Sequence, residues 1–511
     1  MIAAAGFRRA LRPPGTAVNV AGALNLCGVL LKYLSVAALL PAAVALGYSE
    51  PVWPFLLAGL ITAAAGWSLE RASRGKEQIG IREGFLVVSV TWLLAAGFGA
   101  LPYVLAREGV LGNPLNAYFE AMSGFTTTGS SMLVDPQALS HSLLLWRQFT
   151  QWLGGMGIIV LALAVLPRLR VGGRQLLEQE MPGPEIEPLT ASIRATARRL
   201  WLLYVGLTAV LVAILSIFAW TGVDGAMSFY DAVAHAFTAM PTGGFGTRET
   251  SVEPFAPASQ WVLALFMALA GANFALLYRA IVRHSPRVLA RDQELRLYLA
   301  LLLLGSGLIL AELVSEGLFS GEAALRHSVF QTVSIMTTTG FASADFTVWT
   351  SLTAMTLVAL MFAGGSAGST AGSIKVVRHL IIGKMLRREL DQTVHPEIVR
   401  TVRLNGAAVD ERTLRAAITF VLLYVGCFVL GAAGLALESA RANVGISPFE
   451  AIAAAATTLG NVGPAFGFAG PFGSFEPFSD LSKVIMIGLM WLGRLEIIPI
   501  VVLLTRNYWR G

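Results

Sequence analysis

Two cysteines in 511 residues, Cys27 and Cys427, both inside apolar runs, leave no disulfide framework and no cysteine-built metal site. Charge is scarce as well. Only 13% of the chain is Asp, Glu, Lys or Arg against 55% hydrophobic residues, too apolar a balance for ordinary soluble domains. No Gly-x-Gly-x-x-Gly follows a strand-like run, so a nucleotide-binding module is not indicated. HExxH, a credible nucleophile and base pair, and paired intramembrane aspartates are missing too, which argues against an enzyme. Among six histidines only His235 lies in a pore-helix motif, and no second ligand at helical spacing makes it a metal site.

What the chain has is long apolar sequence. With a mean hydropathy of +0.67, several stretches exceed the roughly 20 apolar residues that cross a bilayer. Ten spans are expected, at 18–47, 53–70, 84–106, 143–167, 198–220, 258–282, 296–316, 350–376, 413–437 and 482–505. Arg8, Arg9 and Arg12 precede the first without a convincing cleavage site after it, which predicts a retained helix. A pI near 9.5 raises the question of nucleic acid, but the formal charge is only +6 and the basic residues cluster between spans, at 71–82, 168–199, 279–296, 375–415 and 506–510. By the positive-inside rule these sides, and both termini, are cytoplasmic. Nucleic acid is not an expected partner; the lipid bilayer is.

One pattern returns four times on the opposite side: FEAMSGFTTTGSS from Phe119, YDAVAHAFTAMPTGGF from Tyr230, VFQTVSIMTTTGF from Val329 and FEAIAAAATTLGNVGP from Phe449. Each is a short apolar helix running into a Thr/Gly turn. The predicted fold is therefore an all-α membrane protein: two N-terminal helices (1–80), then four parallel repeats of transmembrane helix, pore helix with filter loop, and transmembrane helix, at 81–175, 176–290, 291–395 and 396–511. The aromatic-to-glycine step is ten residues from Phe119 to Gly129 and from Phe330 to Gly340. It is thirteen from Tyr230 to Gly243 and fourteen from Phe449 to Gly463, so either a helical turn is added or the aromatics are not equivalent.

Four such turns around one axis can replace the hydration shell of a cation with carbonyl and hydroxyl oxygens. Gly129, Gly243, Gly340 and Gly463 are the expected pivots, because glycine admits the torsions that aim successive carbonyls one way. Thr127, Thr128, Thr242, Thr338 and Thr339 add oxygens, with Asn461 and Val462 in the fourth copy. One shared glycine per turn predicts fewer well-formed sites than a TVGYG loop provides. The competing reading is that the clusters merely cap helices or make turns. Glu120, Asp231 and Glu450 are placed at pore-helix N-termini, where carboxylates suit the dipole; Gln331 in the third copy breaks any acidic ring.

Two further features interrupt the apolar pattern. Gly364, Gly365, Gly368 and Gly372, with Ser366, Ser369, Thr370 and Ser373, put polar flexible backbone inside the eighth span. That is either an intramembrane loop or, from the four-residue spacing of Gly364, Gly368 and Gly372, a packing face on an unbroken helix. Arg494 falls near the centre of the last span, where a charge costs on the order of 3 kcal/mol. It faces either a water-filled path or a partner on a neighbouring helix, and Glu496, two residues on, does not share its face.

With QWLGGMGI at 151–158, GANF at 271–274, GGSAGSTAGSIK at 364–375 and GRLEI at 493–497 added to the four turns, nearly the whole chain resembles the Trk/Ktr/HKT superfamily of potassium transport proteins, and within it the TrkH-type bacterial uptake subunits. The resemblance implies K⁺ as the bound and transported ion at the filter residues, with no other cofactor. It implies a gate below the filter made by Gly364, Gly365, Ser366, Gly368, Ser369, Gly372 and Arg494. It also implies a homodimer in the bacterial inner membrane on a cytoplasmic RCK-type, TrkA-like nucleotide-binding subunit, with 384–415 as candidate docking surface. A gated channel-like pathway and a carrier coupling K⁺ to Na⁺ or H⁺ both remain open at this stage.

Overall fold

The structure, a computed structural model, describes residues 18–73, 80–164 and 189–510. Arg8, Arg9, Arg12, Arg74, Lys76, Arg168, Arg170 and Arg174 lie outside the described residues. Helix dominates. The N-terminal pair consists of α1 (Val20–Ala37) continued by α2 (Leu39–Gly47), and α3 (Trp53–Ala72). α1 and α3 cross at two glycines: a Cβ on Gly28 would lie 2.6 Å from the Gly66 carbonyl oxygen, and one on Gly66 2.7 Å from that of Gly28. Small residues let helix backbones approach where no hydrophobic effect drives them together, and Lys32 pairs with Glu70 beside the crossing.

Four helical groups follow. The first holds α4 (Ile81–Gly99), α5 (Leu101–Ala106), the short α6 (Pro114–Phe125) and α7 (His141–Ala164). The second holds α8 (Leu189–Thr221), the short α9 (Phe229–Ala239), α10 (Pro257–Ala270) and α11 (Phe274–Ile281). After α12 (Arg287–Arg291), the third holds α13 (Gln293–Ser315), α14 (Gly321–Met336), α15 (Ser351–Ala363) and α16 (Val376–Val394). A two-residue antiparallel ladder, β1 (Arg403–Leu404) with β2 (Ala407–Ala408), leads to the fourth: α17 (Glu411–Ala442), α18 (Pro448–Gly460), α19 (Asp480–Arg494), α20 (Ile498–Leu503) and the terminal α21 (Arg506–Trp509).

The ten expected spans do not all form single unbroken helices. Among the described residues five helical stretches are long and apolar enough to cross a membrane: Val20–Gly47, Arg82–Ala106, Thr196–Thr221, Gln293–Ser315 and Glu411–Ala442. The expected span 53–70 and the described part of 143–167, to Ala164, are more polar helices, and three others break in the middle. Helices α10 and α11 meet at 108°; Asn273 starts α11 by accepting the amides of Ala275 and Leu276, which ends one helix and caps the next. The span at 350–376 stops at Ala363, where Gly364 takes φ +69°. The last stops at Arg494 and turns through Glu496 and Ile497, both with φ near +57°.

The short helices start in different ways. Ser228 with Asp231, and Ser447 with Glu450, form reciprocal capping boxes at α9 and α18, as expected for carboxylates there. Glu120 departs from that expectation. It is the seventh residue of α6, fully buried, and forms an ion pair with the equally buried Arg147 of α7. Its oxygens also accept the Met132 amide at 2.8 Å and the Ser131 hydroxyl at 3.0 Å. A buried carboxylate requires such partners.

Candidate functional site

Each short helix ends in a turn with the same backbone conformation. Thr127, Thr242, Thr338 and Asn461 are left-handed, with φ between 51° and 59°, and two residues later Gly129, Gly244, Gly340 and Gly463 have φ of 87°, 77°, 88° and 117°. The amide of the left-handed residue donates three residues back: Thr127 to Gly124, Thr242 to Ala239, Thr338 to Ile335, and Asn461 to Thr458. The next amide donates five back, to Ser123, Thr238, Ser334 and Thr457, at 2.8 to 2.9 Å. Four sequences with little identity thus share one local fold.

That alignment corrects the second pivot. Gly244, not Gly243, carries the positive φ; Gly243 stands level with Thr128, Thr339 and Val462. The pivot then lies ten residues after Phe119 and Phe330 and fourteen after Tyr230 and Phe449. Ala234 and Ala453 occupy the places of Phe119 and Phe330, so the leading aromatics are not equivalent.

The four turns close on one another. A Cβ on Gly129 would run into the carbonyl oxygen of Gly243, one on Gly244 into that of Thr339, one on Gly340 into that of Val462, and one on Gly463 would lie 2.9 Å from that of Thr128. The contacts run from first turn to second, third, fourth and back to first. All four glycines line one cleft with about 520 Å³ of empty space, whose charged lining residues are Arg147, Arg248 and Glu249. The hydroxyls are less free than their number implied. Thr128 is bonded to Thr126 at 2.7 Å and Thr339 to Thr337 at 2.8 Å. Asn461 donates to the Thr128 hydroxyl at 2.9 Å. Of the five threonines expected to add oxygens, Thr127 alone keeps a buried hydroxyl with no hydrogen-bond partner among the described residues.

Residues 364–375 form a loop and not a helical packing face. Gly364, Gly368 and Ser373 have φ of 69°, 71° and 60°, and the backbone is held from outside: the Ser366 amide donates to Gly271 at 2.8 Å, the Phe274 amide to Gly368 at 3.3 Å, and the Ala367 amide to the buried carboxylate of Glu294 at 2.5 Å. Such external bonds are what lets non-helical backbone exist at depth. The loop lies against the turns. The Gly372 amide donates to the Thr338 hydroxyl at 2.7 Å, and the Thr370 hydroxyl is 3.1 Å from the Met240 carbonyl and 3.3 Å from the Thr242 hydroxyl. Gly372 also packs against the carbonyl oxygen of Gly460.

Arg494 ends α19 at a helix break, 2% exposed, and reaches this loop: its Nη1 donates to the Thr370 carbonyl at 2.8 Å. Its Nε and Nη2 have no hydrogen-bond partner among the described residues. Glu496 instead pairs with Arg378 of α16, whose guanidinium stacks 3.8 Å above Phe420. The two sequence features expected to act together are therefore in direct contact. His235 is buried, with Nδ1 2.8 Å from the Asp231 carbonyl, a local hydrogen bond as expected.

Sequence reasoning passed over Gly244, Gln151, Glu294 and the Glu120–Arg147 pair. The motifs GANF and GRLEI held the signal for the other two breaks, since Asn273 caps a helix and Arg494–Glu496 ends one.

The chain matches a family model, TrkH, described as a cation transport protein, over residues 54–510. Curated relatives include the Trk system potassium uptake proteins TrkH of Salmonella typhimurium, 36% identical over 493 residues (95% of this chain, 98% of the relative), and of Vibrio parahaemolyticus, 36% identical over 499 (96% and 99%). The crystal structure of the potassium transporter TrkH from Vibrio parahaemolyticus superposes with a TM-score of 0.86 at 32% identity, covering 96% of this chain and all of that one. Sequence and fold agree over almost the full length: the chain belongs to the TrkH family, whose members are potassium transporters and not enzymes.

Proposed function

We propose that this chain takes up potassium across the bacterial inner membrane through a gated, channel-like cation pore whose filter faces outward. The closed ring of pivot glycines carries the reading. Alternation of left-handed residue, ordinary residue and positive-φ glycine is the backbone form that turns successive carbonyls to one side, and four such turns in a ring offer an ion oxygens from every direction. K⁺ binds at Thr127, Thr128 and Gly129, at Thr242 to Gly244, at Thr338, Thr339 and Gly340, and at Asn461, Val462 and Gly463. The names of the relatives supply potassium as the ion. The loop 364–373 and Arg494 form the gate: the loop fills the space beneath three of the turns and the guanidinium pins it there, adding a positive charge on the ion path. Both termini and the gate side are cytoplasmic in this reading, which the positive-inside rule supports through the basic connections. The chain works as a homodimer with a cytoplasmic RCK-type, TrkA-like regulatory subunit, since the relatives are named as parts of a Trk system and this chain holds no nucleotide-binding motif.

Replacing Gly129 or Gly340 by Ser tests the filter. Either Cβ meets a carbonyl of the next turn at a φ that side chains rarely adopt. Each variant should insert normally yet lose ⁸⁶Rb⁺ uptake or its preference over Na⁺. Wild-type uptake and selectivity in both would remove the ring from the ion path.

A further inference from the structure

We infer that Gln151, a side chain of the first helical group, sets cation discrimination by completing the turn of the second. This rests on the ring being the filter. In the first and third turns, threonines three residues and one residue before the pivot bond through their hydroxyls, Thr126 with Thr128 and Thr337 with Thr339. The second turn has Pro241 and Gly243 at those two places and can make no such pair. Gln151, fully buried on α7, takes over. Its Nε2 donates to the Gly243 carbonyl at 2.7 Å and its Oε1 accepts the Phe245 amide at 3.1 Å. One carboxamide thus holds the residues on both sides of the pivot Gly244.

The same carboxamide explains the glycine at 243. That residue is outside the left-handed region, so its backbone admits a side chain, but a Cβ there would collide with the Gln151 amide carbon and oxygen and lie 2.9 Å from its nitrogen. Gln151 therefore occupies the space that the threonine side chain fills in turns one and three. The Gly243 oxygen is also the one packed against Gly129, at the seam between first and second turns. An amide donor on that oxygen fixes its direction and draws on its lone-pair density, so it presents a weaker field to a cation. A weak field favours a large, loosely hydrated ion over Na⁺.

Paired ⁸⁶Rb⁺ and ²²Na⁺ uptake in proteoliposomes, with melting temperature recorded, tests this on Gln151→Ala, Gln151→Met, Gly243→Thr, the double variant Gln151→Ala/Gly243→Thr, and Gly340→Ala. Both Gln151 variants lose the two bonds to the turn, and loss of the one on the Gly243 oxygen should lower the Rb⁺/Na⁺ ratio about 3- to 10-fold. Gly243→Thr alone should be impaired by collision with the amide, and the double variant should regain at least part of the ratio, because the threonine enters the vacated space. A folded Gln151→Ala or Gln151→Met with a wild-type ratio, or a double variant no better than the product of the singles, overturns the inference. If neither single variant at 151 assembles, the double variant decides: assembly with a recovered ratio supports the role, and failure counts against it. Gly340→Ala separates the two levels. An unchanged ratio there refutes the filter itself, whereas a shifted ratio there with none at Gln151 refutes this inference alone.

Discussion

Removing Arg494 separates a gate from a brace. The guanidinium is buried and spends one donor on the Thr370 carbonyl, while Nε and Nη2 find no protein acceptor among the described residues. A hydrogen bond from a charged donor contributes about 1.5–3 kcal/mol. At about 1.4 kcal/mol per factor of ten, Arg494→Ala should shift the loop from its seated position by roughly 10- to 100-fold. Charge acts in the same direction: at an effective dielectric constant of about 20 and a separation of about 6 Å, a fixed positive charge repels a cation by about 3 kcal/mol. Stability should hold, since a poorly satisfied buried cation is itself costly to keep. Were Arg494 instead half of a balanced buried pair, its loss would cost about 3–5 kcal/mol and the melting temperature would fall. The assay is ⁸⁶Rb⁺ uptake per folded molecule beside detergent melting. Faster uptake at an unchanged melting temperature is expected; a destabilised protein with equal or lower uptake would refute the barrier role. Arg494→Lys keeps the charge but loses the planar fork, and should fall between wild type and Arg494→Ala.

Two other outcomes follow from the same geometry. Deleting part of 364–373 should raise flux at least several-fold, because the loop fills the space under the turns without forming them; a correctly folded deletion with wild-type flux would show that the loop does not obstruct the path. Elsewhere Glu50 ties the α2–α3 connection to the start of α7, accepting the amides of His141 and Ser142 at 2.7 and 2.8 Å. Burial pushes its carboxyl upward, but the hydrogen bonds from Ser142 and His141 outweigh that and hold it below the ordinary value of 4.5. A depressed folded pKa means that this contribution is present above about pH 4.5 and is lost as pH falls through the folded pKa. Glu50→Gln should therefore melt lower than wild type at pH 7, and the gap should close on acidification toward pH 3.

The turns, the loop and Arg494 were readable in the sequence because each breaks a local rule: glycine, hydroxyls and charge inside apolar runs. The second pivot was not, since adjacent glycines at 243 and 244 hide which one takes the positive φ until the backbone is seen. Glu120 misled for a related reason. Its place after an aromatic matches that of Asp231 and Glu450, yet α6 starts six residues before it, so the same local pattern sits one turn deeper and meets Arg147. The helix breaks after Ala270 and Arg494 went unread because hydropathy averages over them. The contact of Gln151 with the second turn was invisible, because its partner Gly243 is 92 residues away.

The central claim is that the four turns together hold a cation, and anomalous diffraction from crystals soaked in Tl⁺ tests it most directly. The account predicts a peak on the axis of the ring, enclosed by the carbonyls of residues 127–129, 242–244, 338–340 and 461–463 and weakened by excess K⁺. Tl⁺ bound elsewhere in the protein with none at the ring would contradict it.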